Sequence, residues 1–332
     1  QCRETFFAQL LSRDNVSRDE IRAAATAGVP EQFRPTVWKL LLHYLPLKKA
    51  DREDVLVSQR GNYRRLVKDL IARPSLEPGQ DGLSGRQDVS EGDTPLASTG
   101  VWAAFWMESE VTEAIVKDVH RTYPTWDFFQ RVRACAHCPL LAAEALGRLL
   151  LLYAKCHQRT QYVQGMNEIL APILFVTAKE DGVAFEDAEA DTFYMFATIM
   201  SEVGDVFHRE LDHDAEGLHG TLDRFSKRMC QIDERLYRRL NFELDISAEF
   251  YAFRWISTLL SREFMLPDVL RLWDTLFSDA SRFSKLCVLY DVCVAMVVTQ
   301  QQTIFTESFA VVLPMLQSFP SMDVEVLLRT AE

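Results

Sequence analysis

The chain has 332 residues, 48% of them hydrophobic, enough for a large buried core in one extended helical domain or in two smaller ones. Its 36 basic and 48 acidic residues leave a formal charge of −12, which repels phosphate backbones and excludes nucleic acid as a general partner. Only 13 Gly and 12 Pro are present, too few breakers for the frequent turns of a sandwich or barrel, so an all-α fold is expected.

The start, Q-C-R-E-T-F-F, lacks a signal-peptide profile and the seven cysteines form no regular ladder, so a reducing, cytoplasmic setting is expected. Pro35 suits the first turn of a helix that carries Val37, Leu40, Leu41, Tyr44 and Leu45 on one face, with Pro46 as its stop. The densest basic stretch, R-G-N-Y-R-R at 60–65, has acidic residues on both sides and reads as a solvated helix face. Residues 74–100, with Pro74, Pro78, Pro95 and many Gly, Ser and Asp, read as a mobile loop. Trp102, Phe105 and Trp106 restart packed structure.

The segment I-V-K-D-V-H-R (115–121) puts Asp118 and Arg121 three apart, near one helix face, where they can pair. Pro124 ends that helix and leaves Arg121 near its C-terminal end, free to project. Leu146, Leu149, Leu150 and Tyr153 define a further helix that runs towards His157. Cys135, His137 and Cys138, taken with Cys156 and His157, could suggest zinc, but the last two end an apolar helix, whereas such ligands usually come from tight turns. No metal site is expected.

In Y-V-Q-G-M-N-E (162–168), a Gln stands directly before a Gly that would allow a ligand close to the backbone, ahead of an apolar helix through Ile169, Leu170 and Ile173. Phe193, Phe196, Met200 and Val203 repeat helical spacing. From Leu218 through Leu222, Phe225, Met229, Ile232, Leu236 and Leu240 the pattern predicts one core-facing helix in preference to a coiled-coil seam. Phe253, Ile256, Leu260 and Phe264 follow, then Pro267 opens a helix with Leu270, Trp273 and Phe277 on its core side. The longest apolar run, 286–298, is interrupted by Asp291 and too short to cross a bilayer. No P-loop, H-E-x-x-H or G-x-S-x-G is present, so the chain carries none of these sites for a nucleotide or substrate of its own.

Taken in order, the motifs are R-x-x-x-W (Arg34 to Trp38), I-x-x-D-x-x-R (Ile115 to Arg121) and Y-x-Q-G-M (Tyr162 to Met166). With G-V-P-E-Q-F-R (28–34), A-F-R-W-I-S-T-L-L-S-R-E-F (252–264) and L-P-D-V-L-R-L-W-D (266–274), they resemble the TBC family of Rab GTPase-activating proteins over about residues 25 to 320. The resemblance implies a single multi-helical domain over 1–332 with two helical subdomains. It also implies that Arg121 stabilises transition-state charge on the partner's GTP while Gln164 orients the attacking water. Asp118, Arg34, Trp38, Tyr162, Gly165 and Asn167 would support the two fingers. The implied partner is a Rab-family GTPase in its GTP-bound state, which carries the GTP and Mg²⁺, so no cofactor belongs to this chain. Any membrane association would be peripheral, at endomembranes through the Rab, in the service of vesicle trafficking. A catalytically silent Rab-binding scaffold is the alternative. Residues 131–146 are the least family-like and suggest a lost insertion.

Overall fold

The computed structural model describes residues 2–71, 101–129, 142–157, 161–203, 217–281 and 286–332, with the side chains of 101–109 and 218 left aside. The loop expected over 74–100, residues 131–141, and the side chains of Trp102, Phe105 and Trp106 therefore lie outside the described residues. Among those described, the structure is helical, with one isolated bridge, Asn15 to Lys48, and no strand. The α-helices are α1 (Cys2–Ser12), α2 (Arg18–Thr26), α3 (Arg34–Leu41), α4 (Arg52–Leu70), α5 (Val101–Arg121) and α6 (Ala142–Cys156). Next come α7 (Met166–Thr177), α8 (Phe185–Val203), α9 (Leu218–Ile232), α10 (Glu234–Arg238) and α11 (Ala252–Ser257). The last are α12 (Leu266–Ser278), α13 (Cys287–Thr299), α14 (Gln301–Thr306), α15 (Phe309–Gln317) and α16 (Val324–Ala331).

The chain divides into two compact units, one formed by Gln1–Ser58 with Glu168–Glu332 and the other by Gln59–Asn167. In the first, α12 starts on a first-turn proline and buries Leu266, Val269, Leu270, Leu272, Trp273, Leu276 and Phe277. It packs against α2 and α3, where Trp38 meets Phe277 edge-on at 4.9 Å and lies 5.9 Å from Trp273. Trp273 is core, as its helical stripe predicts. Helix α13 is apolar on nearly every side and accordingly buried, packed against α9, α11 and α16. The expected α3 forms with its proline in the first turn, but it stops at Leu41, ahead of Pro46, because His43 takes a left-handed φ of 61°.

Two helical stripes run further in the sequence than in the fold. The pattern from Leu218 to Leu240 breaks at Asp233, whose extended backbone (φ −145°, ψ 94°) ends α9. Its carboxylate accepts from the Leu236 amide at 2.9 Å and so starts α10. Ile232, on the expected core face, is 47% exposed. The stripe Phe253, Ile256, Leu260, Phe264 is likewise cut when α11 ends at Ser257, since Leu259 and Leu260 take φ of 51° and 65°. Side-chain bonds hold this turn. The Trp273 indole donates to the Leu259 carbonyl at 2.9 Å, and Arg254 pairs with Glu263 through two bonds of 2.7 and 2.9 Å.

In the second unit, α5 packs against α6. Helix α6 buries Leu146, Leu149, Leu150 and Tyr153, the predicted stripe, and ends beside His157, which stacks on Tyr153 at 4.1 Å. The His157 ring nitrogen Nδ1 lies 3.0 Å from the Tyr153 carbonyl.

Candidate functional site

Helix α5 ends at Arg121, because Tyr123 adopts φ 42° and Pro124 follows, so the chain turns away at once. That stop puts Arg121 in the last helical turn, with its side chain 56% exposed. One turn back, Asp118 is buried, and its Oδ1 receives the Arg121 guanidinium. The pair predicted from the spacing is present, but it is lopsided: the carboxylate is buried and its partner stands in solvent.

The second motif approaches the same turn. The Gln161 amide donates to the His157 carbonyl at 2.8 Å, and Gln161 itself takes φ 49°. Tyr162 follows and donates its hydroxyl to Asp118 Oδ2, so a single buried carboxylate carries both the arginine and the tyrosine. Gln164 and Gly165 form a turn, Gln164 exposed and Gly165 buried, before α7 begins at Met166. Gly165 takes φ 107°, a conformation that side chains with a Cβ rarely adopt. The glycine is thus required by the turn itself, in addition to any close approach of a ligand.

Asn167 closes the arrangement. Its Oδ1 accepts the Gly165 amide at 3.2 Å and lies 3.4 Å from the Tyr162 hydroxyl, while its Nδ2 donates to Thr122 Oγ1 at 2.9 Å. The Thr122 hydroxyl in turn donates to the Asp118 carbonyl at 2.8 Å. Asp118, Thr122 and Asn167 therefore form a buried hydrogen-bonded frame, with Tyr162 bonded to Asp118 and the Gly165 amide to Asn167, and a low dielectric makes each of its buried members costly to remove. Arg121 is bonded to this frame through Asp118, and Gln164 immediately precedes the glycine whose amide Asn167 holds.

Arg34 and Trp38 lie in the first unit, where both reach Asp274. Arg34 Nε and Nη2 contact its oxygens at 3.0 Å each, Trp38 Nε1 donates at 2.8 Å, and the Val29 amide adds a bond of 2.8 Å. Burial pushes the Asp274 carboxyl above its ordinary value, while the charge and hydrogen bonds of Arg34 pull it back down. These residues hold the opening motif onto α12, and their polar atoms are directed to Asp274 and Val29.

A family model described as the Rab-GTPase-TBC domain matches residues 105–305, more than half of the chain, and covers the C-terminal part of α5 and the Gln164 turn. The chain is 30% identical to TBC1 domain family member 13 of Mus musculus, over 98% of this chain and 96% of that protein. The chain belongs to the Rab-GTPase-TBC domain family. It is also 27% identical to the GTPase-activating protein gyp1 of Schizosaccharomyces pombe, over 98% of this chain and 59% of that one. The crystal structure of the Ypt/Rab-GAP domain of Gyp1p superposes with a TM-score of 0.76 at 24% identity, over 99% of this chain and 96% of that one, and has the same all-helical fold.

Within this TBC domain, two site residues escaped the sequence reading. Thr122 directly follows the second motif and carries no signal of its own, since a threonine past the end of a helix is commonplace. Asp274 closes the quoted segment L-P-D-V-L-R-L-W-D, and its acid on the buried side of an apolar stripe was the available clue.

Proposed function

We propose that this TBC domain accelerates GTP hydrolysis by a Rab-family small GTPase, to which it supplies Arg121 and Gln164. The observation that carries the reading is the buried frame: both residues are exposed, Arg121 is bonded to Asp118, and Gln164 precedes the glycine whose amide Asn167 holds, all within one unit. Phosphoryl transfer rewards that arrangement, because it needs positioned charge and a positioned water more than covalent chemistry. The guanidinium is permanently charged and forks onto phosphate oxygens, so Arg121 neutralises charge developing between the β- and γ-phosphates. The Gln164 carboxamide offers a donor and an acceptor, which lets it hold an attacking water in line. The GTPase brings the GTP and its Mg²⁺ in the GTP-bound state, and through it this chain reaches endomembranes and acts on vesicle trafficking. Among the described residues no helix is long and apolar enough to cross a membrane by itself.

The test is single-turnover GTP hydrolysis across a Rab panel with the wild-type chain, Arg121→Ala and Gln164→Ala. Loss of the arginine is expected to remove about 10³–10⁵ in rate, equivalent to about 4–7 kcal/mol of transition-state stabilisation. Loss of the glutamine is expected to reduce acceleration as well. Undiminished stimulation by either variant overturns the two-finger assignment. Tight binding of GTP-loaded Rab with no acceleration by the wild type would mark a scaffold.

A further inference from the structure

We infer that Thr122 is a positioning residue: its buried hydroxyl sets the conformation of the turn that presents Gln164. The hydroxyl has one hydrogen, and that hydrogen is committed to the Asp118 carbonyl at 2.8 Å. Towards everything else Thr122 Oγ1 is therefore an acceptor only. The group facing it at 2.9 Å has to be a donor, which makes it the amino end of Asn167 and points the Asn167 oxygen at the Gly165 amide. An Asn167 turned through half a revolution would set its amino group against the Gly165 N–H, donor against donor, and leave Thr122 facing an oxygen with no hydrogen to give.

The consequence passes along the backbone. Gly165 is held at φ 107° with its amide on Asn167 Oδ1, and Gln164 is the residue immediately before it. Thr122 is fully buried and immediately follows Arg121, so one residue fastens the end of α5 to the far side of the turn. Its β-branched side chain suits this use, because few χ1 rotamers are open to it. Serine would keep the hydroxyl with more freedom, and valine would keep the shape without the hydroxyl.

The kinetic consequence rests on the proposed GTPase activation, but the structural one does not, and the experiment has an arm for each. In the first arm, hydrogen exchange at the Gly165 amide is measured in the isolated chain for wild type, Thr122→Val and Thr122→Ser. Exchange about 10-fold faster in the valine variant, and close to wild type in the serine variant, is expected for a lost buried bond. Should valine disrupt folding, as judged by the thermal midpoint, Thr122→Ala removes the same hydroxyl without added bulk. In the second arm, GTP hydrolysis is followed against increasing concentrations of each variant. The valine variant is expected to lower kcat about 10-fold while its half-saturating concentration stays within about twofold, because Gln164 is misplaced while the rest of the docking surface is intact. The serine variant should recover most of kcat. Unchanged Gly165 exchange together with unchanged kcat, beside a wild type that accelerates, overturns the role of Thr122. A wild type that accelerates no GTPase overturns the functional reading, while the exchange arm still decides the positioning role.

Discussion

At the scale of single residues, the site rests on contrasts between neighbours. Asp118 is buried and Arg121 exposed on the same helical turn, so the carboxylate gives the guanidinium a fixed base while its far end remains in solvent. The ion pair adds little stability of its own, because its arginine is well solvated. Its value is geometric. Arg121→Lys keeps the charge and loses the fork, and it is expected to fold normally while losing most of the GTPase acceleration, as measured by single-turnover assay. Gly165 tests the other finger. At φ 107°, an alanine there costs about 1–3 kcal/mol in backbone strain and tilts the Gln164 peptide. Gly165→Ala is therefore expected to lower the denaturation midpoint modestly and the hydrolysis rate strongly; an equal rate would show that the turn tolerates other conformations. The sequence made Asp118, Arg121, Gln164 and Gly165 visible through spacing and motif, but Thr122 stayed hidden because its role depends on Asn167, 45 positions away.

At the scale of elements, helix existence was legible and helix ends were less so. The stripes of α6, α8 and α12 bury the residues that their periodicity selects. The long stripe from Leu218 fails at Asp233, where a local side-chain cap outweighs continued apolar spacing. That cap predicts a measurable cost: Asp233→Ala is expected to destabilise the chain by about 1 kcal/mol, read from chemical denaturation. No change would mean that packing alone separates α9 from α10. At Leu259 and Leu260 the apolar spacing also gives no stop. The two consecutive left-handed residues are held by the Arg254–Glu263 pair that spans the turn and by the Trp273 indole from α12. A reading of apolar spacing therefore overruns α11 for a physical reason: the bonds that hold the turn are made by polar groups that the spacing does not count.

At the scale of the whole molecule, the polypeptide builds its first unit from both ends and places residues 59–167 between them in sequence. The N-terminal segment is joined to α12 by Arg34 and Trp38 meeting Asp274, 240 and 236 positions away. Asp274 is fully buried with Arg34 nearly so, and such a pair is costly to break from one side. Asp274→Ala strands the Arg34 guanidinium and the Trp38 and Val29 N–H groups, and is expected to destabilise the first unit by about 3–5 kcal/mol. Urea denaturation checks this. A loss below about 1 kcal/mol would mean that water satisfies those donors.

By themselves, the residues determined the helical class, the family and the two candidate fingers, because composition, apolar period and motif order are properties of the linear chain. The tertiary structure alone decided which groups bond around Asp118, that Arg34 and Trp38 serve Asp274, and that the Trp273 indole meets the end of α11. Those outcomes depend on buried donors and acceptors finding one another across long stretches of sequence. Burial makes such pairing nearly obligatory, yet the chain's order does not say which partner will be near.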